Sequence, residues 1–236
     1  MNRIKKKIKQ KIKSILLALT VKYIHKNNIL ELILDNSEKE ALSHVNSGFL
    51  FEKGWWESWK TKAPIDLNNN PLPWVTYSFI DFIKDRFKKD MIMFEYGSGN
   101  STFYYSKKVK EVHTVEHDLG WFMKLEKAMP SNVSIKHTKL EYGGDYAKSS
   151  LNSGVKYDIV IVDGRDRVNC MINSLNAIKK NGVFILDDSE RIAYKKGINE
   201  LYNNGYKSID LWGISPGLHY HKCTSIYYKN ENILGI

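Results

Sequence analysis

Cysteine is almost absent from this sequence of 236 residues, which contains only Cys170 and Cys223. The two lie far apart and have no paired spacing, so the sequence has no thiolate metal motif. Such sparing use of cysteine is typical of proteins from a reducing compartment. We therefore expect both thiols to be small, buried hydrophobic groups.

Acidic residues are missing from positions 1–13, which supply seven units of the net charge of +10. The rest of the chain has a net charge of +3, which is too small to indicate nucleic-acid binding. Apolar residues recur between the lysines at helical spacing, at Ile4, Ile8, Ile12, Ile15 and Leu19. Residues 1–45 are predicted to contain a basic amphipathic helix that lies on an anionic membrane or packs on the domain or a second subunit.

The apolar run at 15–21 is too short to cross a bilayer and is not followed by a small-residue cleavage site. We expect a cytoplasmic protein, at the inner membrane face if the helix binds lipid. Residues 46–73 form an aromatic-rich lid or linker with Trp55, Trp56 and Trp59, and Trp74 follows it. These tryptophans either cover an acceptor or belong to the core. Residues 74–236 form the main domain.

The third glycine of a dinucleotide fingerprint is also missing. Residues 91–94 predict a strand that enters Glu95-Tyr96-Gly97-Ser98-Gly99, and Thr102 stands where that glycine would be. A second short apolar run, 112–115, ends at Glu116. This strand–turn–helix–strand pattern predicts a nucleotide-like ligand at the carboxyl edge of a parallel sheet, with Glu116 accepting hydrogen bonds from ribose.

An acid before a Gly-x-Gly turn resembles the first motif of class I S-adenosylmethionine-dependent methyltransferases, and the likeness covers roughly residues 76–229. It implies a Rossmann-like α/β fold with seven strands, mostly parallel and the last antiparallel, and helices on both faces. S-adenosylmethionine is then the implied cofactor. Its implied binding residues are Glu95, Gly97, Gly99, Ser101, Thr102, Glu116, His117 and Asp163.

Three further acids follow buried strands on the same predicted rim. Asp163 follows the apolar run 159–162, and Asp187 and Asp188 follow 183–186. They resemble the ligands of metal-dependent O-methyltransferases, which implies a Mg²⁺ ion held by Asp163, Asp187 and Asp188. Alternatively, Arg165 or Arg167 neutralises Asp163, or the acids cap helices.

The remaining pattern predicts helices at 76–88, 121–128, 168–179 and 191–201, and strands at 133–137, 208–212 and 225–228. Candidate catalytic residues are Asp163, Arg165 and His219; His219 shares a strand face with His221. We expect O-methylation of a small molecule or a saccharide, no nucleic-acid partner, and a possible homo-oligomer. The rival interpretations are an aminopropyl-type transferase on the same fold and a non-catalytic scaffold.

Overall fold

The computed structural model describes residues 47–236 and the single positions 12, 35 and 37. The predicted basic amphipathic helix in residues 1–45 therefore falls outside the described residues, apart from these isolated positions. Within the part of the chain that is described, no helix is long and apolar enough to cross a membrane.

A seven-stranded sheet forms the centre of the molecule, in the order β3-β2-β1-β4-β5-β7-β6. Strands β1 to β5 run parallel, and β7 runs antiparallel to both β5 and β6. The predicted mostly parallel sheet with an antiparallel end is thus confirmed. The strands are β1 Ile92–Tyr96, β2 Glu111–Glu116, β3 Val133–His137, β4 Tyr157–Val162, β5 Ile178–Asp187, β6 Lys207–Gly213 and β7 Lys222–Tyr228.

Helices connect the strands and cover the sheet. In the described part of the chain they are α1 Gly48–Glu52, α2 Trp55–Thr61, α3 Tyr77–Ile83, α4 Asn100–Ser106, α5 Leu119–Leu125, α6 Ser149–Asn152, α7 Arg167–Ser174 and α8 Lys195–Asn203. Short 3-10 turns extend α5 at Glu126–Ala128 and precede α8 at Ile192–Tyr194.

Both faces of the sheet are buried, because alternate residues of the central strands point to opposite sides. Met93, Ile159 and Ile185 belong to one apolar cluster, whereas Phe94 and its neighbours on β4 and β5 belong to the other. All six residues of β4 are buried. This double burial explains why the strand sequences are continuous apolar runs.

Tyr96 ties the end of β1 to the second cluster through its hydroxyl group. This group donates to the carbonyl of Ala147 at 2.9 Å and lies 2.8 Å from Ser150 Oγ and 3.1 Å from Ser174 Oγ. The ring is fully buried. The residue before the glycine turn is therefore fixed by packing and by hydrogen bonds together.

The predicted helix at 168–179 is too long, because α7 ends at Ser174 and β5 already begins at Ile178. Ile178 pairs with Tyr157 on β4, and the register shifts before Val183 pairs with Ile159. Tertiary pairing across this irregularity overrides the helical pattern of the sequence. The helix predicted at 191–201 begins as the 3-10 turn Ile192–Tyr194 and continues as α8 from Lys195.

Candidate functional site

The glycine turn lies at the carboxyl end of β1 and has a backbone that only glycine accepts readily. Gly97 has φ 88°, and a Cβ atom there would lie 3.1 Å from Gly164 Cα. At Gly99 a Cβ atom would meet only the Trp121 ring, at 4.0 Å. Gly97 thus permits close packing of the β1 and β4 ends, and Gly99 leaves space above the turn.

A cavity of about 790 Å³ opens over this turn, a volume in the range of small-molecule sites. It lies outside the carboxyl ends of the parallel strands, where open α/β sheets bind ligands. Of the predicted site residues, its walls include Gly97, Gly99, Ser101, Glu116, His117, Asp163 and Arg165. Tertiary folding therefore brings most of the predicted residues together around one space.

Glu116 presents a carboxylate that the surrounding backbone already holds in place. Its Oε1 accepts from the amides of His117 and Asp118 at 2.8 and 2.9 Å, and its Oε2 accepts from the amide of Ser98 at 3.1 Å. The side chain of His117 also approaches Oε1, with Nδ1 at 2.8 Å. A carboxylate offers about four acceptor positions, so capacity remains for a donor from a ligand.

Glu95 lies beneath the turn and not on the cavity wall. The residue is completely buried, and its Oε2 accepts from Thr102 Oγ1 at 2.5 Å. Its Oε1 has no hydrogen-bond partner among the described residues. Burial raises the pKa of Glu95 to about 7, and the hydrogen bond from Thr102 only partly opposes this. Glu95 and Thr102 therefore support the turn from below, with one acceptor atom left unmet.

The predicted metal ligands do come together, but cations of the chain accompany them. Arg167 Nη2 lies 3.0 Å from Asp163 Oδ1, and Lys222 Nζ lies 2.5 Å from Asp187 Oδ2. Lys222 Nζ is also 2.6 Å from Asp188 Oδ1. All three acids are thus paired with basic side chains. The partner of Asp163 is Arg167, as the alternative interpretation of the sequence predicted.

The residues present do not fit the predicted Mg²⁺ ion. Mg²⁺ requires oxygen ligands at about 2.0–2.1 Å in octahedral geometry, whereas an ammonium group bridges Asp187 and Asp188. Among the residues that the structure describes, no group of three or more His, Cys, Asp or Glu side chains is arranged to hold a metal ion. The prediction of magnesium was based on acid positions along the chain and did not foresee Lys222.

Arg165 and His219 occupy very different places. Arg165 is exposed on the cavity wall. His219 is not among the residues that line the cavity; its ring packs 4.4 Å from that of Trp55 and 4.7 Å from that of Trp59. This packing gives no support to a catalytic role for His219. Of the four tryptophans, Trp55 is fully buried in the core and Trp74 lines the cavity.

Sequence reasoning missed several residues of the cavity. Trp121 lines it and donates from Nε1 to the carbonyl of Ser98 at 2.7 Å, which braces the glycine turn. The sequence could have indicated Trp121, because it lies three residues after the helix cap Asp118. The first turn of α5 therefore lies at the carboxyl edge of the sheet, beside the glycine turn. Tyr142, Arg191 and Tyr194 also contribute to the walls, but no motif marks them.

The sheet order, the antiparallel final strand, the glycine turn after β1 and the acid after β2 together define the fold of class I S-adenosylmethionine-dependent methyltransferases. No protein-family model matches the chain, and no curated protein matches it significantly. Solved structures do match.

Precorrin-6y C5,15-methyltransferase from Geobacter metallireducens is 16% identical, with a TM-score of 0.50 over 64% of this chain and 87% of that one. A methyltransferase-like protein from Silicibacter pomeroyi is 20% identical, with a TM-score of 0.48 over 68% and 89%. An rRNA methylase from Streptococcus thermophilus is 12% identical, with a TM-score of 0.46 over 64% and 93%. The likeness to the precorrin methyltransferase shows the fold, and a shared fold does not define the acceptor.

Proposed function

We propose that this protein is an S-adenosylmethionine-dependent methyltransferase that methylates a hydroxyl oxygen of a small molecule or saccharide. The observation that carries the proposal is the glycine turn, which forms one wall of the cavity beside the strand-end carboxylate of Glu116. The buried carboxyl group of Glu95 lies directly beneath that turn with one oxygen unmet, and a carboxylate so close to the cavity favours a cofactor with a cationic amino acid end through its charge. The bound cofactor would supply an electrophilic methyl group on a sulfonium.

The chain's own residues would then bind, orient and deprotonate. Gly97 and Gly99 admit the cofactor, Glu116 holds its ribose hydroxyls, and Ser101 and His117 border the same space. Asp163 is the proposed proton acceptor. Burial and the neighbouring Asp187 raise the pKa of Asp163 well above its ordinary value, although Arg167 and Lys222 oppose the shift. A raised pKa makes the ionised carboxylate a stronger base, and the contact of Arg167 Nη2 with Asp163 Oδ1 favours that ionised form.

The cavity environment favours this reaction over aminopropyl transfer. A polyamine acceptor needs free carboxylates, but Asp163, Asp187 and Asp188 are all paired with basic side chains. Arg165 adds a cation on the cavity wall with no ion-pair partner among the described residues. A cationic amine would therefore meet a wall whose acids are already neutralised.

The proposal also includes the location of the protein in the cell and the class of molecule that it binds. A cytoplasmic protein at the inner face of a membrane is supported only by the basic sequence of residues 1–13. A small-molecule acceptor in place of a nucleic acid is supported by the mild charge of the rest of the chain. The alternative of a non-catalytic scaffold predicts that the cavity binds no cofactor.

Calorimetric titration with S-adenosylmethionine and S-adenosylhomocysteine tests the proposal. We expect both to bind, and we expect Glu116→Ala to weaken binding by about 10–100-fold, because hydrogen bonds to a charged group contribute about 1.5–3 kcal/mol. Glu116→Gln is the matched control, since it keeps the size and one acceptor oxygen. Absence of binding at millimolar ligand would refute the enzyme interpretation, and unchanged binding by Glu116→Ala would refute the ribose contact.

A further inference from the structure

The cavity has two halves, because the strands beneath it lie side by side in a fixed order. The half over β1 and β2 contains the glycine turn and Glu116, which the proposed function assigns to the cofactor. The other half is called the acceptor half here, since it is the space left for the molecule that receives the methyl group. Its wall comprises residues 163–168 after β4, Arg191 and Tyr194 after β5, and Lys62 and Trp74 from the segment before α3.

The acids at the ends of β4 and β5 already have basic partners. Asp163 Oδ1 lies 3.0 Å from Arg167 Nη2, and Asp188 Oδ2 lies 2.6 Å from Arg191 Nη2. These two arginines are therefore committed to carboxylates of the chain. Any positive charge that remains available to a ligand must come from other residues of the wall.

Arg165 is one cation that remains available. It is exposed on the cavity wall, and its guanidinium group has no ion pair among the described residues. The adjacent Asp166 is not its partner, because that carboxylate accepts from the amide of Gly143 at 2.7 Å and from Asn169 Nδ2 at 2.8 Å. The amide of Arg165 donates to Tyr146 Oη at 3.3 Å, which anchors its backbone. A guanidinium group presents two parallel donors that match a carboxylate or a phosphate.

Lys62 is the second such cation, and it too lacks a carboxylate partner in the part of the chain that the structure describes. Its Nζ lies 3.9 Å from the centroid of the Trp59 ring, a cation–π contact that orients the side chain without neutralising its charge. Its backbone ends α2 in the left-handed region, with φ 55°. A lysine keeps that conformation only where the surrounding structure holds it. The fold thus places an ammonium group at the cavity.

Two aromatic rings belong to the same half of the cavity. Trp74 is 41% exposed, and its Nε1 donates to the carbonyl of Pro216 at 2.8 Å, so the ring is fixed while much of it stays accessible. Tyr194 is half-buried, and the guanidinium carbon of Arg167 lies 5.3 Å from its ring centroid. Such rings offer apolar surface against which a sugar or an aromatic ring packs. The acceptor half therefore combines ring surfaces with two available cations.

We propose that the acceptor is an anionic molecule, and that Arg165 and Lys62 bind its carboxylate or phosphate group. The inference deepens the proposed function and rests on it, because the anion is placed on the molecule that receives the methyl group. A neutral acceptor would displace water from both cations without replacing its hydrogen bonds. An anionic acceptor replaces them with charge-assisted hydrogen bonds. Arg165 and Lys62 are thus specificity-determining residues.

The test is a calorimetric titration of the full chain saturated with S-adenosylhomocysteine. The probes are inorganic phosphate, malonate and malonamide, the last being the neutral counterpart of malonate. We expect one phosphate or malonate ion to bind with a Kd of about 1 mM or tighter. Malonamide should bind at least about tenfold more weakly, because it offers no charge to the two cations. The ion that binds more tightly indicates which kind of anionic group the acceptor carries.

Three variants connect the ion to the proposed residues. Arg165→Gln and Lys62→Gln should each weaken ion binding by about tenfold or more, because each removes charge-assisted hydrogen bonds. Lys60→Gln is the matched control, since Lys60 lies in α2, pairs with Glu57 at 3.3 Å and does not line the cavity. At an ionic strength of about 0.1 M, which screens distant charges, it should change the affinity by less than about twofold. Both Arg165 and Lys62 are exposed, and an unchanged unfolding temperature checks that their variants fold.

Four results would each overturn the proposal. They are absence of ion binding by the wild type, equal affinity for malonate and malonamide, unchanged ion binding by Arg165→Gln and Lys62→Gln, and mutual exclusion of the ion and S-adenosylhomocysteine. The last would show that the two cations hold the carboxylate of the cofactor.

Titration with S-adenosylhomocysteine alone separates this inference from the proposed function. If S-adenosylhomocysteine does not bind, the proposed function fails. The ion titration of the free protein then still shows whether Arg165 and Lys62 form an anion site. If S-adenosylhomocysteine binds and the ions do not, the proposed function stands and the anionic acceptor is refuted.

Discussion

The carboxyl group of Glu95 makes the stability of this protein depend on pH in an unusual direction. The residue is completely buried at the end of β1, and burial raises its pKa from 4.5 to about 7. The charge of Glu116 adds to the rise, whereas the hydrogen bond from Thr102 reduces it. The folded protein therefore holds the Glu95 proton more tightly than the unfolded chain does.

The sign and size of the effect follow from proton linkage. Below pH 4.5 both states carry the proton, and Glu95 costs nothing through ionisation. Between pH 4.5 and about 7 the unfolded chain ionises first, so the free energy of unfolding falls as the pH rises. Above about pH 7 the loss is complete. A rise of this size, at 1.36 kcal/mol per pKa unit, corresponds to about 3 kcal/mol.

Replacing Glu95 by glutamine removes the titration while preserving an acceptor for Thr102 Oγ1. We expect the difference between the free energies of unfolding of Glu95→Gln and of the wild type, both measured with urea, to increase by about 3 kcal/mol in favour of the variant between pH 4.5 and pH 8. Groups that do not interact with Glu95 titrate alike in both proteins, so they cancel in the difference. A difference that stays constant with pH, or that changes in the opposite direction, would refute the assignment of a raised pKa.

Three further substitutions test the architecture of the site by urea unfolding. Gly97→Ala should lower the free energy of unfolding by more than the cost of about 1–2 kcal/mol for a left-handed alanine, because its Cβ would crowd Gly164. Gly154→Ala is the matched control, since Gly154 has φ 70° and open space around it. Equal losses of stability in the two variants would contradict the packing argument. Tyr96→Phe should cost about 1–3 kcal/mol, because buried partners lose their hydrogen bonds; a neutral result would show that the hydroxyl network is dispensable. Asp118→Ala should cost about 1 kcal/mol, as its side chain caps α5, and Asp118→Asn should restore most of this; a loss of equal size in both would point away from capping.

The local pattern of the sequence was sufficient to predict the elements that surround the candidate site. Asp118 caps α5, and β3 has the predicted bounds, Val133–His137. The glycine turn and Glu116 were recognisable because a tight turn and a strand-end acid are needed within one short stretch of chain. In such stretches, chemistry and spacing are both local properties, which a single sequence records directly.

The charge balance of the acid cluster was not recognisable in the same way. Lys222 is 34 positions or more from each of its acidic partners, Asp187 and Asp188, and only the antiparallel pairing of β7 with β5 brings it to them. For the same reason the sequence predicted a magnesium site from three acids, whereas the folded chain pairs Asp187 and Asp188 with Lys222 and Asp163 with Arg167.

The sequence by itself determined the fold class and the edge of the sheet that carries the glycine turn, because alternating strands and helices with strand-end polar residues allow few arrangements. Only the tertiary structure decided which side chains share that edge. In the folded chain Glu95 lies beneath the glycine turn and Trp121 lies beside it. His219 packs against tryptophans and does not line the cavity. Contacts between residues distant in the chain arise from packing and strand order, and no local pattern encodes them.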